Sequence, residues 1–180
     1  IIGFVIATSF GFPPEIAAGI ILVGSSPSGL ASNVMSFIAK ANLALSVTLT
    51  AVATLLAPLL TPLLMKLLAG QFVPIDFQSM MMSIVKIVIL PIGAGLVFNL
   101  LIGGRKPVLE KAMSILSMAG IGIIITVITA AGRDSLMEIG FLLILACLLH
   151  NSAGYLLGYG VCRLARMDEK SCRTIALEVG

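Results

Sequence analysis

Charge is spaced along this chain in a way that leaves few folds open. Ile16 to Ala39, Ala41 to Met65, Ala112 to Gly132 and Ile139 to Cys162 contain no Asp, Glu, Lys or Arg. Each run has the roughly 20 residues that a helix needs to cross a hydrocarbon core. One soluble core does not need four such runs. With 59% hydrophobic and 11% charged residues, the chain also lacks the polar groups to cover its outside in water. The expected fold class is an all-α membrane protein, a polytopic helical bundle with the lipid bilayer as its surroundings. Several such runs, with no single basic stretch leading into a short apolar one and a cleavage site, set a signal peptide aside. The chain opens at Ile1 inside one apolar stretch and stops at Gly180 inside another, so we expect an internal fragment of a longer protein.

Breakers then divide the runs. Residues 1–10 read as the tail of one span, ended by Gly11, Phe12, Pro13 and Pro14. A segment follows from about Glu15 to Gly24, and Gly24-Ser-Ser-Pro-Ser-Gly29 interrupts it in the middle of an uncharged run. The simplest reading is a helix broken at mid-depth. Unpaired backbone groups cost several kcal/mol each in lipid, so such a break survives only where protein buries it or it lines a cavity. A long helix is expected from Asn42 to about Leu68, with further spans at about 79–102, 109–132 and 136–162. A last helix opens after Asp168 and Glu169, acids suited to a helix N-terminus.

The basic residues fall in the connections. Lys40, Arg105, Lys106, Lys111, Arg163, Arg166, Lys170 and Arg173 lie on one side of the expected layout, and only Lys66 and Arg133 on the other, with Lys86 left to snorkel. This asymmetry puts the first set in the cytoplasm and also accounts for the net charge of +3, with no nucleic acid needed. Cys147, Cys162 and Cys172 have no paired spacing and read as small apolar fillers, giving no zinc or disulfide framework.

Just past the break stand Ser32 and Asn33, and Asn42, Ser46, Thr50 and Thr54 recur every fourth residue along an apolar helix. Hydroxyl and amide oxygens are hard, neutral ligands that suit sodium better than a transition metal. The same residues also serve membrane helices by bonding to their own backbone or to a neighbouring helix. Glu178 is a lone carboxylate in an apolar segment, either functional or interfacial. His150 and Asn151 sit mid-span, and a helix-bridging role for His150 is favoured over a proton relay. Nothing resembles a nucleophile elbow, a phosphate-cradling loop or a carboxylate pair, so an enzyme is not expected.

At Gly24-Ser-Ser-Pro-Ser-Gly-Leu-Ala-Ser-Asn33, Lys40-Ala-Asn-Leu-Ala-Leu-Ser46, Thr50, Thr61-Pro62, Leu149-His-Asn-Ser-Ala-Gly-Tyr-Leu-Leu-Gly158 and Glu178-Val-Gly180, the sequence resembles the bile acid:sodium symporter family. The resemblance covers essentially the whole chain. It implies inverted repeats, a panel and a core domain, and two broken helices that cross near the bilayer midplane. Core-domain helices would occupy 1–69, with the first crossing helix at about 15–40. Panel-domain helices would occupy 78–132, and core-domain helices 136–180, ending inside the second crossing helix.

The resemblance further implies sodium-coupled symport of an organic anion by alternating access, in a multi-pass protein of the cell (inner) membrane. The cargo classes it suggests are bile-acid-like, pantothenate-like and keto acids. One sodium site maps onto Ser32, Asn33, Ser46, Thr50 and Glu178. A second shares Glu178 and the backbone at Val179, with its other ligands outside this chain. Ser28 stands where the family often has a second glycine and would add a substrate hydrogen bond. The amides at Gly29, Leu30 and Ala31 open a half-helix and would meet the anion. Two rival readings are a cation/proton exchanger that titrates Glu178 and a non-transporting membrane receptor or scaffold.

Overall fold

The structure, a computed structural model, describes residues 1–102 and 107–180. Among them every regular element is helical: α1 (Ile2–Ser9), α2 (Pro14–Ser25), α3 (Leu30–Ile38), α4 (Leu43–Leu68), α5 (Phe77–Ile84), a π-helical turn (Val85–Ile89), α6 (Leu90–Ile102), α7 (Pro107–Ala131), α8 (Arg133–Leu164) and α9 (Glu169–Val179). The chain is an all-α, multi-pass membrane protein. Among the described residues, Leu43–Leu68, Phe77–Phe98 and Leu136–Leu164 are each long and apolar enough to cross a bilayer, and the bent pair α2 and α3 is so when taken together. Arg105 and Lys106, on which the orientation count partly rests, lie outside the described residues.

Two compact units are present: Ile1–Pro91 with Ala146–Gly180, and Ile92–Leu145. In the second unit, α7 and α8 are separated by Gly132 alone. Helix α8 therefore starts at Arg133, three residues earlier than the sequence suggested, with Asp134 in its first turn facing the positive end of the helix dipole.

In the first unit, α1 lies against α2 through Gly3, where an added Cβ would come within 2.8 Å of the Ile20 carbonyl oxygen. Pro14 opens α2 at its first helical position, where the missing N–H costs nothing. Helix α2 stops because Pro27 pushes Ser26 into extended backbone, with φ −85° and ψ 152°. The chain resumes helical geometry at Leu30, bent by 54° from α2.

Two matching turns close the far ends of α3 and α8. After α3, Lys40 takes φ 50°, its N–H bonds to Phe37 O, and the Ala41 N–H reaches back to Ser36 O. After α8, Arg166 takes φ 58°, its N–H bonds to Arg163 O, and the Met167 N–H reaches back to Cys162 O. Both are Schellman closures with a basic residue where glycine is usual. Each is followed at once by an N-cap. Asn42 Oδ1 accepts the Leu45 N–H at 3.1 Å to start α4. Asp168 accepts the Ser171 N–H at 3.1 Å to start α9, and the Ser171 hydroxyl and amide hold the Asp168 carboxyl below its usual range.

Helix α4 has 26 residues and keeps Pro58 and Pro62 inside it. Its buried face in that half is Ala57, Pro58, Thr61, Pro62 and Met65, a helical stripe of small and flat side chains that packs toward α2. The sequence did not announce the π-helical turn at Val85–Ile89. Pro91, which cannot donate to the carbonyl of Ile87, follows it closely and explains why the ladder shifts there.

Candidate functional site

Three helices of the first unit, α3, α4 and α9, meet around one carboxylate. Glu178, in the last turn of α9, receives the hydroxyls of Ser32 at 2.9 Å and Ser46 at 2.5 Å on Oε1. On Oε2 it receives Ser28 at 2.5 Å and Thr50 at 3.0 Å. Asn33 turns its side-chain carbonyl into the same space, 2.8 Å from Ser46 Oγ and 3.4 Å from Thr50 Oγ1. Ser46 is fully buried, and Ser28, Ser32, Asn33, Thr50 and Glu178 are partly so.

Local geometry explains which residues arrive. Ser32 and Asn33 lie in the first turn of α3, which the break at Pro27 aims at α4. Steps of four residues drift by about 40° each around a helix, so only part of the hydroxyl stripe on α4 stays at the site. Ser46 and Thr50 are there. Thr54 has rotated away and donates to Thr50 O at 2.7 Å, the backbone-bonding role open to any membrane hydroxyl. Asn42 caps α4 one turn before the site.

The proton balance of this cluster is unusual. Four hydroxyls carry four protons, and the carboxylate draws all four. The Asn33 carbonyl is then left with no hydroxyl proton, and the Gly29 carbonyl at 2.8 Å from Ser32 Oγ and the Ser46 carbonyl at 3.0 Å from Thr50 Oγ1 keep only their backbone N–H donors. Nor is the negative charge matched nearby. The ion pairs found among the described residues are Arg133–Asp134 and Arg173–Glu169, neither of which touches Glu178. No three His, Cys, Asp or Glu side chains converge among the described residues, so the donor set is one of oxygen, hard and nearly neutral.

A cavity of about 360 Å³ opens beside the cluster, lined by Gly24, Ser26, Pro27, Ser28, Gly29, Ala31 and Ser32 on one side. His150, Asn151 and Tyr155 of α8 and Leu177 to Gly180 line the other. Gly29 stands at the N-cap of α3 with no side chain bonded to the helix end, so the first amides of α3 are open toward this space. Ala31 lines the cavity, while the Leu30 side chain is exposed and outside it. Val179 lines it too, half exposed. Ser28, expected beside the amides, lines the cavity and also donates to Glu178. His150 leans on the break: its Nε2 lies so close to Gly24 that a Cβ there would meet it at 2.7 Å. That is a packing bridge between α8 and α2.

The family model described as the sodium bile acid symporter family matches residues 1–139.

The chain belongs to the sodium bile acid symporter family.

An uncharacterized sodium-dependent transporter of Bacillus subtilis, YocS, is 41% identical over the full chain, which spans 56% of that relative. The probable chloroplastic sodium/metabolite cotransporter BASS1 of Arabidopsis thaliana is 36% identical over 98% of the chain and 44% of its own length. The rice protein named BASS2 is 36% identical over 99% of the chain and 43% of its own length. The chain thus spans about half the length of these symporter-family relatives.

Sequence reasoning missed the residues that lock α9 in place. Gly154 and Gly158 of α8 admit the α9 backbone so closely that a Cβ would come within 2.7 Å of Val179 O at the first and 2.9 Å of Ile175 O at the second. Their four-residue spacing, the small-residue signature of membrane helix packing, was readable in advance. Cys162 and Cys172 were read as unrelated. Both are buried free thiols, Cys162 on α8 and Cys172 on α9, where Cys172 Sγ lies 3.7 Å from Met167 O. Thr174 and Ser171, both buried on the inner face of α9, had no signal in the sequence at all.

Proposed function

We propose that this chain forms the cation-binding portion of a secondary active transporter, not an enzyme, which carries an organic anion with sodium across the cell membrane by alternating access. The observation that carries the reading is the Glu178 carboxylate, ringed by hydroxyls from α3, α4 and the break and left without a basic partner among the described residues. A buried charge that lacks a counterion is costly in a bilayer. Sodium at this point balances the charge and takes as a ligand the Asn33 carbonyl, which the hydroxyl protons do not reach. Ser32, Asn33, Ser46, Thr50 and Glu178 are the ligands of this site. A second sodium shares Glu178 and the Val179 carbonyl and takes its other ligands from elsewhere in the protein.

The anion belongs in the adjacent cavity, its head toward the open amides of Leu30 and Ala31 at the positive end of α3, with Ser28 and Gly29 shaping the approach. Residues 1–69 and 136–180 act as the core domain and 78–132 as the panel. Sodium draws α3, α4 and α9 together and so fixes the α3 end in the form that accepts the anion. Each ligand then raises the affinity for the other.

The test is a sodium titration of anion affinity with the full-length protein, wild type against Glu178→Gln. At about 4 Å and an effective dielectric near 20, a carboxylate attracts a cation by about 4 kcal/mol. Loss of most of that attraction weakens sodium binding by about 100-fold or more. A wild-type sodium dependence in Glu178→Gln would sink the reading. Anion uptake driven by a proton gradient without sodium would favour an exchanger that titrates Glu178.

A further inference from the structure

We infer that Thr174 is a positioning residue that sets the register of α9 against α4 and thereby places the Glu178 carboxylate among the hydroxyls. The inference rests on the sodium reading above. Thr174 is fully buried, and its Oγ1 accepts the Asn42 N–H at 2.9 Å. Its own proton lies between two carbonyls, Asn42 O and Lys170 O, each at 3.1 Å. One side chain of α9 thus holds both the donor and the acceptor of the residue that opens α4.

The spacing gives this contact its consequence. Thr174 and Asn42 are 132 positions apart, and so are Glu178 and Ser46. The two helices run locally in parallel, and each pair sits one turn from the other, so the latch and the carboxylate contact repeat at a single register. A slip of one residue would turn α9 by about 100° and swing Glu178 off the α4 hydroxyls. The two remaining direct ties at this level are longer. The Asn42 N–H lies 3.4 Å from Lys170 O, and Asn42 Nδ2 lies 3.5 Å from Ser171 Oγ. Without the Thr174 hydroxyl the Asn42 amide keeps only that long contact, and α4 and α9 lose the short bond that indexes one against the other.

A residue that merely packs would change stability and leave ion recognition alone. A residue that indexes Glu178 changes how the oxygen cage fits the ion. Full-length wild type, Thr174→Val and Thr174→Ser are compared by thermal stabilisation in detergent over separate sodium and lithium titrations, with Glu178→Gln as the floor. Valine keeps the volume and removes the hydroxyl, while serine restores it. We expect Thr174→Val to raise the sodium concentration for half-maximal stabilisation about tenfold and to alter the sodium-to-lithium ratio. Thr174→Ser should stay within about twofold of wild type on both counts.

Should Thr174→Val not give monodisperse protein, Thr174→Cys takes its place, with a weaker acceptor and a shift in the same direction. A folded Thr174→Val or Thr174→Cys with wild-type sodium and lithium curves overturns the inference and leaves the sodium reading standing. A wild type that no sodium concentration stabilises overturns the sodium reading, and the inference with it.

Discussion

Helix α4 is built on two principles, and the break in the α2–α3 span divides them. Its first half, to about Thr54, faces α3 and α9 with hydroxyls, and there the packing is polar and gathered on the Glu178 carboxylate. Its second half faces α2 with Ala57, Pro58, Thr61, Pro62 and Met65, and there the packing is close and satisfied. A polar link in that second region, Thr61 Oγ1 to Ser25 O at 2.8 Å, caps the last carbonyl of α2 just where the helix stops. One half of a single membrane span is arranged to receive something, and the other holds the break still while it does so.

Substitutions can break this division or sharpen it. The largest effect belongs to Glu178→Gln, whose loss of charge should cost about 100-fold in sodium affinity. Ser46→Ala comes next. It removes a fully buried oxygen that touches both Asn33 and Glu178, and we expect sodium affinity to fall about tenfold, measured by the same titration. Thr50→Val should cost several-fold less than Glu178→Gln, because water can replace one neutral ligand in a partly open position.

The other half of α4 should answer differently. Thr61→Val leaves the Ser25 carbonyl without its hydroxyl and should destabilise the folded protein by about 1–3 kcal/mol, with sodium affinity unchanged once the protein is folded. If its sodium titration moved as far as that of Ser46→Ala, the two halves of α4 would not be separable. The smallest effect is expected at the turn beyond α3. Lys40→Gly relieves a left-handed backbone position and should raise the thermal midpoint by about 2–4 °C, again without touching sodium affinity.

Much of the fold could be read in advance, because lipid imposes it directly. Length and lack of charge announced the spans, and Pro27 with its flanking serines and glycines announced the break. The site was legible in pieces. Ser46 and Thr50 share a face by spacing alone, yet nothing local connects residue 33 with residue 178, and only the resemblance joined them. Thr54 shows the limit of the spacing argument, since a four-residue stripe winds slowly off its face. The Thr174–Asn42 latch arises from how α9 docks on α4, which single-chain periodicity does not encode. The π-helical turn before Pro91 lies within a span whose length was right and whose hydrogen-bond ladder was not.

The two Schellman turns also bear on how such a protein is made. A left-handed lysine or arginine costs about 1–2 kcal/mol that a glycine would spare, and the chain bears this at both Lys40 and Arg166. Both positive charges sit at tight reversals between hydrophobic segments, where an inserting chain must settle which loop is retained and which is translocated. On the positive-inside rule, backbone strain in the finished fold is what these two loops would give up for their charge. Residues that are slightly wrong for the folded turn are those the same rule would select for threading it into the membrane.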